Sequence, residues 1–102
     1  MTYYLVAYSA YGNYFKHAFD SLWDIVKYYN LDRYKDFVDA FKDATTEDQK
    51  IEVIIMELEN YQMPFSPEDD STTYFKIFKD PLKAQDFCDK LVYEKERMRP
   101  RW

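Results

Sequence analysis

The chain begins with a segment that is apolar on both of its alternating faces. Residues 2–9 are rich in aromatic and β-branched side chains. One face would carry Tyr3, Leu5 and Ala7, and the other Tyr4, Val6 and Tyr8. A strand that is covered on both sides has this pattern, so we predict a buried strand here, ended by the pair Gly12-Asn13.

From residue 13 onwards, the apolar positions repeat with the period of a helix. They fall at i, i+4, i+7, i+11 and i+14, and the residues are Phe15, Phe19, Leu22, Val26 and Tyr29. A single apolar stripe of this kind is typical of an amphipathic α-helix. Asn13 is a residue type that caps helices. We therefore predict a first helix over residues 13–29.

A second, shorter helix is predicted after Asp32, which is also a capping residue type. Its core stripe recurs at i, i+3, i+4 and i+7 through Tyr34, Phe37, Val38 and Phe41. This spacing places all four side chains on the side of the helix that faces the protein interior.

A third helix is predicted from Thr46 to about Asn60. Thr46 and Gln49 have the spacing of a capping box, in which each side chain binds the backbone N–H of the other residue. The helix would bury Ile51, Ile54, Ile55 and Leu58. Residues 51–58 also include three isoleucines and one valine, which favour strands. A strand over 51–58 therefore stays open as the alternative.

The last part of the chain predicts a loop, a strand and a helix. Residues 61–72 hold two prolines and an acidic cluster, which is typical of a loop. Residues 73–78 predict a second strand. Asp80 and Pro81 indicate a helix start, because Asp caps helices and proline fits the first helical position. The core stripe of this helix is Ala84, Phe87, Cys88 and Leu91.

The predicted elements form one small α+β domain. The 102 residues, with a mass of 12.5 kDa, are enough for a single core. The order is β-α-α-(α or β)-β-α, with helices packed on a small sheet over residues 1–93 and a basic tail over 94–102. If 51–58 and 92–98 are both strands, the order becomes β-α-β-β-α-β, the ferredoxin-like arrangement. An open sheet edge would pair with a second copy, which predicts a homodimer.

One segment resembles part of a known domain type. The sequence TYFKIFKDPLKAQDFCDKL, residues 73–91, is similar to the third strand and second helix of RNA-recognition-motif and other ferredoxin-like domains. Those domains bind RNA through a strand rich in glycine and aromatic residues, and residues 72–78 contain no glycine, so no functional residue is transferred. The small size, low glycine content and acidic, tyrosine-rich composition also look like phage and mobile-element accessory proteins.

Several enzyme and metal-site classes are excluded by single-residue counts. One Cys excludes an internal disulfide and multi-cysteine zinc sites, and one His excludes multi-histidine metal motifs. One Gly excludes glycine-rich phosphate loops. We therefore predict no cofactor, no metal and no catalytic residue. The first residues lack the pattern of a signal peptide, and the chain lacks a membrane-spanning apolar run, so we predict a cytoplasmic location and no membrane partner.

Three groups of side chains have reactive residue types but lack the features that catalysis or metal binding needs. His17, Ser21 and Asp24 would share a helical face, but a serine within a helix lacks an oxyanion hole. Cys88 lies within an apolar stripe, as inert thiols do. The acidic run over 68–70 lacks the ligand spacing of a calcium loop.

The acidic residues near the second helix carry the first functional prediction. Asp32, Asp36, Asp39 and Asp43 fall at i, i+4, i+7 and i+11, opposite the apolar stripe. Neighbouring carboxylates would lie about 5–6 Å apart along the axis, a spacing that resembles the charges along a nucleic-acid strand. The net charge is −5. Such a stripe favours binding to the basic site of a nucleic-acid-handling protein.

The aromatic content carries the second functional prediction. Aromatic residues make up 21% of the chain and include 11 tyrosines. The predicted core leaves Tyr11, Tyr28 and Tyr61 without a role. Tyrosine is enriched at protein interfaces because its ring supplies apolar area and its hydroxyl supplies a hydrogen bond. We therefore predict that these three residues, with the four aspartates, bind a protein partner.

The leading hypothesis is a non-enzymatic binding module, acidic and tyrosine-rich, that inhibits or adapts another protein by mimicking DNA. Two alternatives stay open. The tail contains Lys95, Arg97, Arg99, Arg101 and Trp102, and basic-aromatic segments bind single-stranded nucleic acid. The other alternative is a small enzyme, or enzyme subunit, with a site formed across a dimer.

Overall fold

The computed structural model describes residues 1–97 and confirms the α+β class. The strands are β1 (Tyr3–Tyr8), β2 (Tyr14–Phe19) and β3 (Tyr74–Phe78), and the helices are α1 (Leu22–Tyr28), α2 (Lys35–Asp43), α3 (Glu47–Asn60) and α4 (Pro81–Arg97). A short 3₁₀ turn, Leu31–Arg33, joins α1 to α2. The three strands form one antiparallel sheet in the order β2-β1-β3.

Helices cover both faces of the central strand β1. On one face, Tyr3, Leu5 and Ala7 join the main core formed with α1, α2 and α3. On the other face Val6 is fully buried, and the Phe87 ring of α4 lies 5.0 Å from the Tyr8 ring. The strand predicted from two apolar faces is therefore confirmed, and its two faces pack against different helices.

Most of the predicted elements are confirmed with small shifts in their ends. The Thr46–Gln49 capping box begins α3, which runs to Asn60, so residues 51–58 are helical. The helix predicted at Asp80 begins at Pro81. The buried members of the predicted helix stripes are Leu22, Val26, Phe37, Phe41, Ile54, Leu58, Ala84 and Cys88.

The predicted first helix is wrong over its N-terminal half. Residues 14–19 form strand β2, and the helix begins only at Leu22, where the Ser21 hydroxyl accepts a hydrogen bond from the Asp24 N–H. Gly12 adopts a φ of +85° and closes a tight turn between β1 and β2. Asn13 therefore continues the hairpin and does not cap a helix.

The prediction that Asp32 caps the second helix is also wrong. Asp32 lies in the 3₁₀ turn, and the N-cap of α2 is Tyr34. Tyr34 has extended backbone angles and makes no side-chain capping bond. The i, i+4, i+7, i+11 spacing of the aspartates therefore does not run along one continuous helix.

The ferredoxin-like order does not form, because 51–58 is helical and α4 continues through residues 92–97. The strand and helix predicted by the resemblance of residues 73–91 are present as β3 and α4, but the rest of that arrangement is not. The proposed domain boundary at residue 93 falls inside α4. The remaining tail, residues 98–102, lies outside the described residues, so the tail hypothesis stays a prediction. None of the helices within residues 1–97 combines the length and apolarity needed to cross a membrane.

Candidate protein-binding surfaces

The four predicted aspartates lie on the outer side of the three-helix layer. Asp36, Asp39 and Asp43 are exposed on α2, on the side opposite its buried Phe37 and Phe41, and Asp32 is exposed in the preceding turn. We call these four residues the acidic surface. Asp36 and Asp43 are about 10 Å apart along the helix axis.

The carboxylates of the acidic surface form no ion pairs with other described side chains, although the exposed cations Arg33, Lys35 and Lys42 lie in the same turn and helix. Within residues 1–97, the ion pairs join Lys79 to Glu47 at 3.1 Å and to Asp48 at 2.9 Å, on α3. None of the four aspartates shares in them. Because these carboxylates are hydrated and exposed, they are free to attract a cationic surface at modest desolvation cost.

An apolar groove that the sequence did not predict lies beside the acidic surface, between α2 and α3. We call it the α2–α3 groove. Its lining includes Val53, Met56, Asp36 and Glu57, and its volume is about 210 Å³. The Met56 side chain is 66% exposed. Methionine adapts its shape to a partner, so the groove offers an apolar anchor next to negative charge.

Tyr61 lies beside the N-terminal end of α2. Its ring centre is 5.9 Å from that of Tyr34, the N-cap of α2, and its hydroxyl donates to Glu57 at 3.4 Å. Arg33 donates to the Tyr34 hydroxyl at 3.4 Å. The Tyr61 hydroxyl and then this guanidinium lower the pKa of Tyr34, whereas partial burial and then Tyr34 raise the pKa of Tyr61. Tyr34 and Tyr61 thus form an aromatic pair beside the start of α2.

Tyr28 and Tyr11 lie elsewhere. The Tyr28 ring is 5.7 Å from the His17 ring and 5.5 Å from the Phe19 ring, both on β2. Phe15 lies on the same face of that strand, with its ring 6.0 Å from His17. Tyr11 is exposed in the β1–β2 turn. The structure therefore does not bring the three predicted tyrosines together.

We call Phe15, His17, Phe19 and Tyr28 the β2 aromatic face. The helical period of Phe15 and Phe19 with Leu22 predicts a buried helix stripe and does not reveal this surface. The available signal was the alternation of Phe15, His17 and Phe19 directly after a glycine turn, which has the period of a strand.

A cavity lies between the β1–β2 turn, the loop at 65–69 and the end of α4. It has a volume of about 540 Å³, and its lining includes Asn13, Asp69 and Lys95. The Asp69 carboxylate accepts hydrogen bonds from Ser9 Oγ at 2.5 Å and from Asn13 Nδ2 at 2.6 Å. Further bonds come from the backbone and side chain of Ser71. These bonds hold the loop against the hairpin. Asp69, within the acidic run of this loop, therefore has a structural role.

The hydrogen bonds from Ser71 and Ser9 hold the pKa of Asp69 well below its usual range. Among the described residues, no three His, Cys, Asp or Glu side chains are grouped closely enough to hold a metal ion. Asp69 therefore serves as a hydrogen-bond acceptor for the protein's own loops.

Comparisons with known proteins add nothing to this geometry. Comparisons with protein-family models, with curated proteins and with solved structures give no match to this chain.

Proposed function

We propose that this chain is a non-enzymatic binding module whose acidic surface occupies the basic site of a nucleic-acid-handling protein. The observation that carries the proposal is the set of exposed carboxylates at Asp36, Asp39 and Asp43, free of ion pairs with other described residues, beside the α2–α3 groove. Carboxylates spaced along a helix compete with phosphates for lysine and arginine side chains.

The groove gives the proposal a source of affinity beyond charge. Exposed charge accelerates association and selects the partner, but it contributes little to affinity when it stays hydrated. Met56 and Val53 supply apolar area that a partner side chain would bury, and such buried anchors dominate interface energies. The partner is therefore a protein with a basic site and an apolar side chain next to it.

The proposal is tested by displacement. Proteins from a lysate of the organism that encodes the chain are bound to immobilised duplex DNA, and the purified chain is added as competitor. The wild-type chain is expected to release at least one DNA-binding protein. A variant with Asn at positions 32, 36, 39 and 43 is expected to release none, because it keeps the side-chain shapes but loses the charges.

A matched control removes the same amount of charge elsewhere. Its changes are Glu68→Gln, Asp70→Asn, Asp86→Asn and Glu94→Gln, all at exposed positions away from α2. This control is expected to release the same protein as the wild type. Release by the first variant, or no release by the wild type, would contradict the proposal.

A further inference from the structure

Strand β2 is an edge strand that the rest of the described chain leaves open. It pairs with β1 on one side only, and its residues from Phe15 to Ala18 are exposed. On its other side no described strand pairs with it, whereas β1 has a strand on each side. An open strand of this kind is a template for pairing with another strand.

The hydrogen-bond pattern of the hairpin identifies which backbone groups of β2 point outward. The Ser9 N–H donates to the Asn13 carbonyl at 2.9 Å, in the same register as the β1–β2 ladder. Hydrogen-bonded pairs alternate along an antiparallel ladder. The backbone groups of Phe15, His17 and Phe19 therefore face β1, and those of Tyr14, Lys16 and Ala18 face outward.

We infer that two copies of the chain associate through antiparallel pairing of their β2 strands, with His17 on the twofold axis. Only outward-facing residues can exchange hydrogen bonds in the new ladder. This register pairs Lys16 of each copy with Ala18 of the second copy. It places Phe15 opposite Phe19 of the second copy and His17 opposite itself, so the exposed aromatic residues face one another.

Aromatic contacts select this register over the registers centred on Lys16 and Ala18, because only here does each of Phe15, His17 and Phe19 lie opposite one of the same three residues. Centring the pair on Lys16 would place two lysines directly opposite each other, which is unfavourable. Centring it on His17 places the exposed Lys16 diagonal to Asp20 of the second copy and, on the other diagonal, to Lys16 of the second copy. The twofold axis creates the Lys–Asp contact twice and the Lys–Lys contact once, so the attractive contacts outnumber the repulsive one.

The resulting dimer has one continuous six-stranded sheet. Because an antiparallel edge contact keeps the same faces on the same side, the α1–α3 layers of both copies lie on one side of this sheet. The inference concerns β2 and is independent of the function proposed for α2. In combination, the two would present two acidic surfaces on the same side of one particle.

The mass of the purified full-length chain in solution, measured by light scattering, tests the association. The wild-type chain is expected at twice 12.5 kDa. Ala18→Pro is expected at the mass of a single chain, because proline removes an outward N–H and no bond to β1. His17→Asp is expected to have the same effect by opposing two carboxylates across the axis. Circular dichroism checks that both variants are folded. A monomeric wild type, or dimers of both variants, would overturn the inference.

Cysteine cross-linking tests the register. His17→Cys is expected to form a disulfide-linked dimer under mild oxidation, because residues opposed in a non-hydrogen-bonded pair have Cα atoms about 4.5 Å apart. Lys16→Cys is the matched control and is expected to stay uncross-linked, because each Cys would lie opposite Ala18. The native Cys88 is 1% exposed and stays out of the reaction. Cross-linking at 16 and not at 17, or at neither position, would contradict the pairing.

Loss of dimer and loss of partner binding remain distinguishable. Met56→Asp changes the α2–α3 groove and is expected to leave the dimer mass unchanged. Ala18→Pro is expected to leave the acidic surface intact, so a single copy still releases the DNA-binding protein. Met56→Asp therefore tests partner binding alone, and Ala18→Pro tests the dimer alone.

Discussion

Gly12, in the β1–β2 turn, is in direct contact with Lys95 near the end of α4. A Cβ atom placed on Gly12 would lie 2.7 Å from Lys95 Cβ and 2.8 Å from the Leu91 carbonyl oxygen of α4. The Lys95 ammonium also donates to Asn13 Oδ1 at 2.6 Å. The β1–β2 turn is therefore fixed by α4, which holds the start of the open strand β2 in place.

The Gly12 contact predicts a large effect of a small substitution. Gly12→Ala combines a left-handed backbone conformation with a clash against backbone atoms, so we expect a loss of about 2 kcal/mol or more in the free energy of unfolding. Urea denaturation measures it. Ala10→Ser, at an exposed position of the same turn, is the control and is expected to leave the midpoint unchanged. An unchanged midpoint for Gly12→Ala would show that the turn is not held against α4.

Asp69 predicts a dependence of stability on pH. Its pKa in the folded chain is lower than the value of about 3.9 for an unfolded aspartate. The carboxylate therefore stabilises the fold above about pH 4, and this contribution is lost as the pH falls towards the folded pKa. In Asp69→Asn, we expect lower stability at neutral pH and a shallower loss of stability in acid.

The neighbouring Asp70 is the control for this pH measurement, because it is exposed. Denaturation midpoints of Asp70→Asn are expected to follow the wild type across the acid range. If Asp69→Asn also follows the wild type, the bonds from Ser9, Asn13 and Ser71 do not stabilise the loop.

The capping box of α3 predicts a moderate loss of stability. Thr46 Oγ1 accepts from the Gln49 N–H at 3.2 Å, and the Gln49 side chain binds the N-cap backbone in return. Removing the cap in Thr46→Ala is expected to lower the free energy of unfolding by about 1 kcal/mol. Thr46→Ser keeps the hydroxyl and is expected to restore most of it. Equal stability of the Ala and Ser variants would mean that the cap contributes nothing.

Cys88 is predicted to be an unreactive thiol. It is buried in α4, and burial and then the Asp89 charge raise its pKa, while Lys16 acts in the opposite direction. Because the thiolate is the reactive form, labelling by a thiol reagent is expected to be slow in the native chain and fast in denaturant. Rapid native labelling would indicate an accessible thiolate and reopen a catalytic role.

Elements with signals of their own could be predicted from the sequence. The capping box at Thr46, the Asp80-Pro81 start and the two apolar faces of β1 all depend on residues close together in the chain. The strand β2 could not be predicted in this way, because Phe15 and Phe19 fit a helix stripe with Leu22 as well as they fit a strand. Pairing with β1 decides between them, and that pairing depends on the turn that Gly12 closes.

The candidate surfaces also differ in how far the sequence predicts them. The exposure of Asp36, Asp39 and Asp43 follows from the helical period of α2 alone, so the sequence was sufficient. The α2–α3 groove depends on how two helices pack, and the β2 aromatic face depends on the strand at 14–19. The groove could not be derived from the spacing of residues within one element, and the alternation of Phe15, His17 and Phe19 indicates the aromatic face only once a strand is chosen over a helix.

The central claim is that the acidic surface binds a basic protein site, and the salt dependence of that binding tests it most directly. With a DNA-binding protein released in the displacement experiment, the dissociation constant is measured across a salt series for the wild type and for the variant with Asn at 32, 36, 39 and 43. We expect wild-type affinity to fall steeply with salt, because screening weakens exposed charge pairs. The variant is expected to bind more weakly at low salt, with a much flatter dependence. Equal slopes for the two chains would contradict the claim.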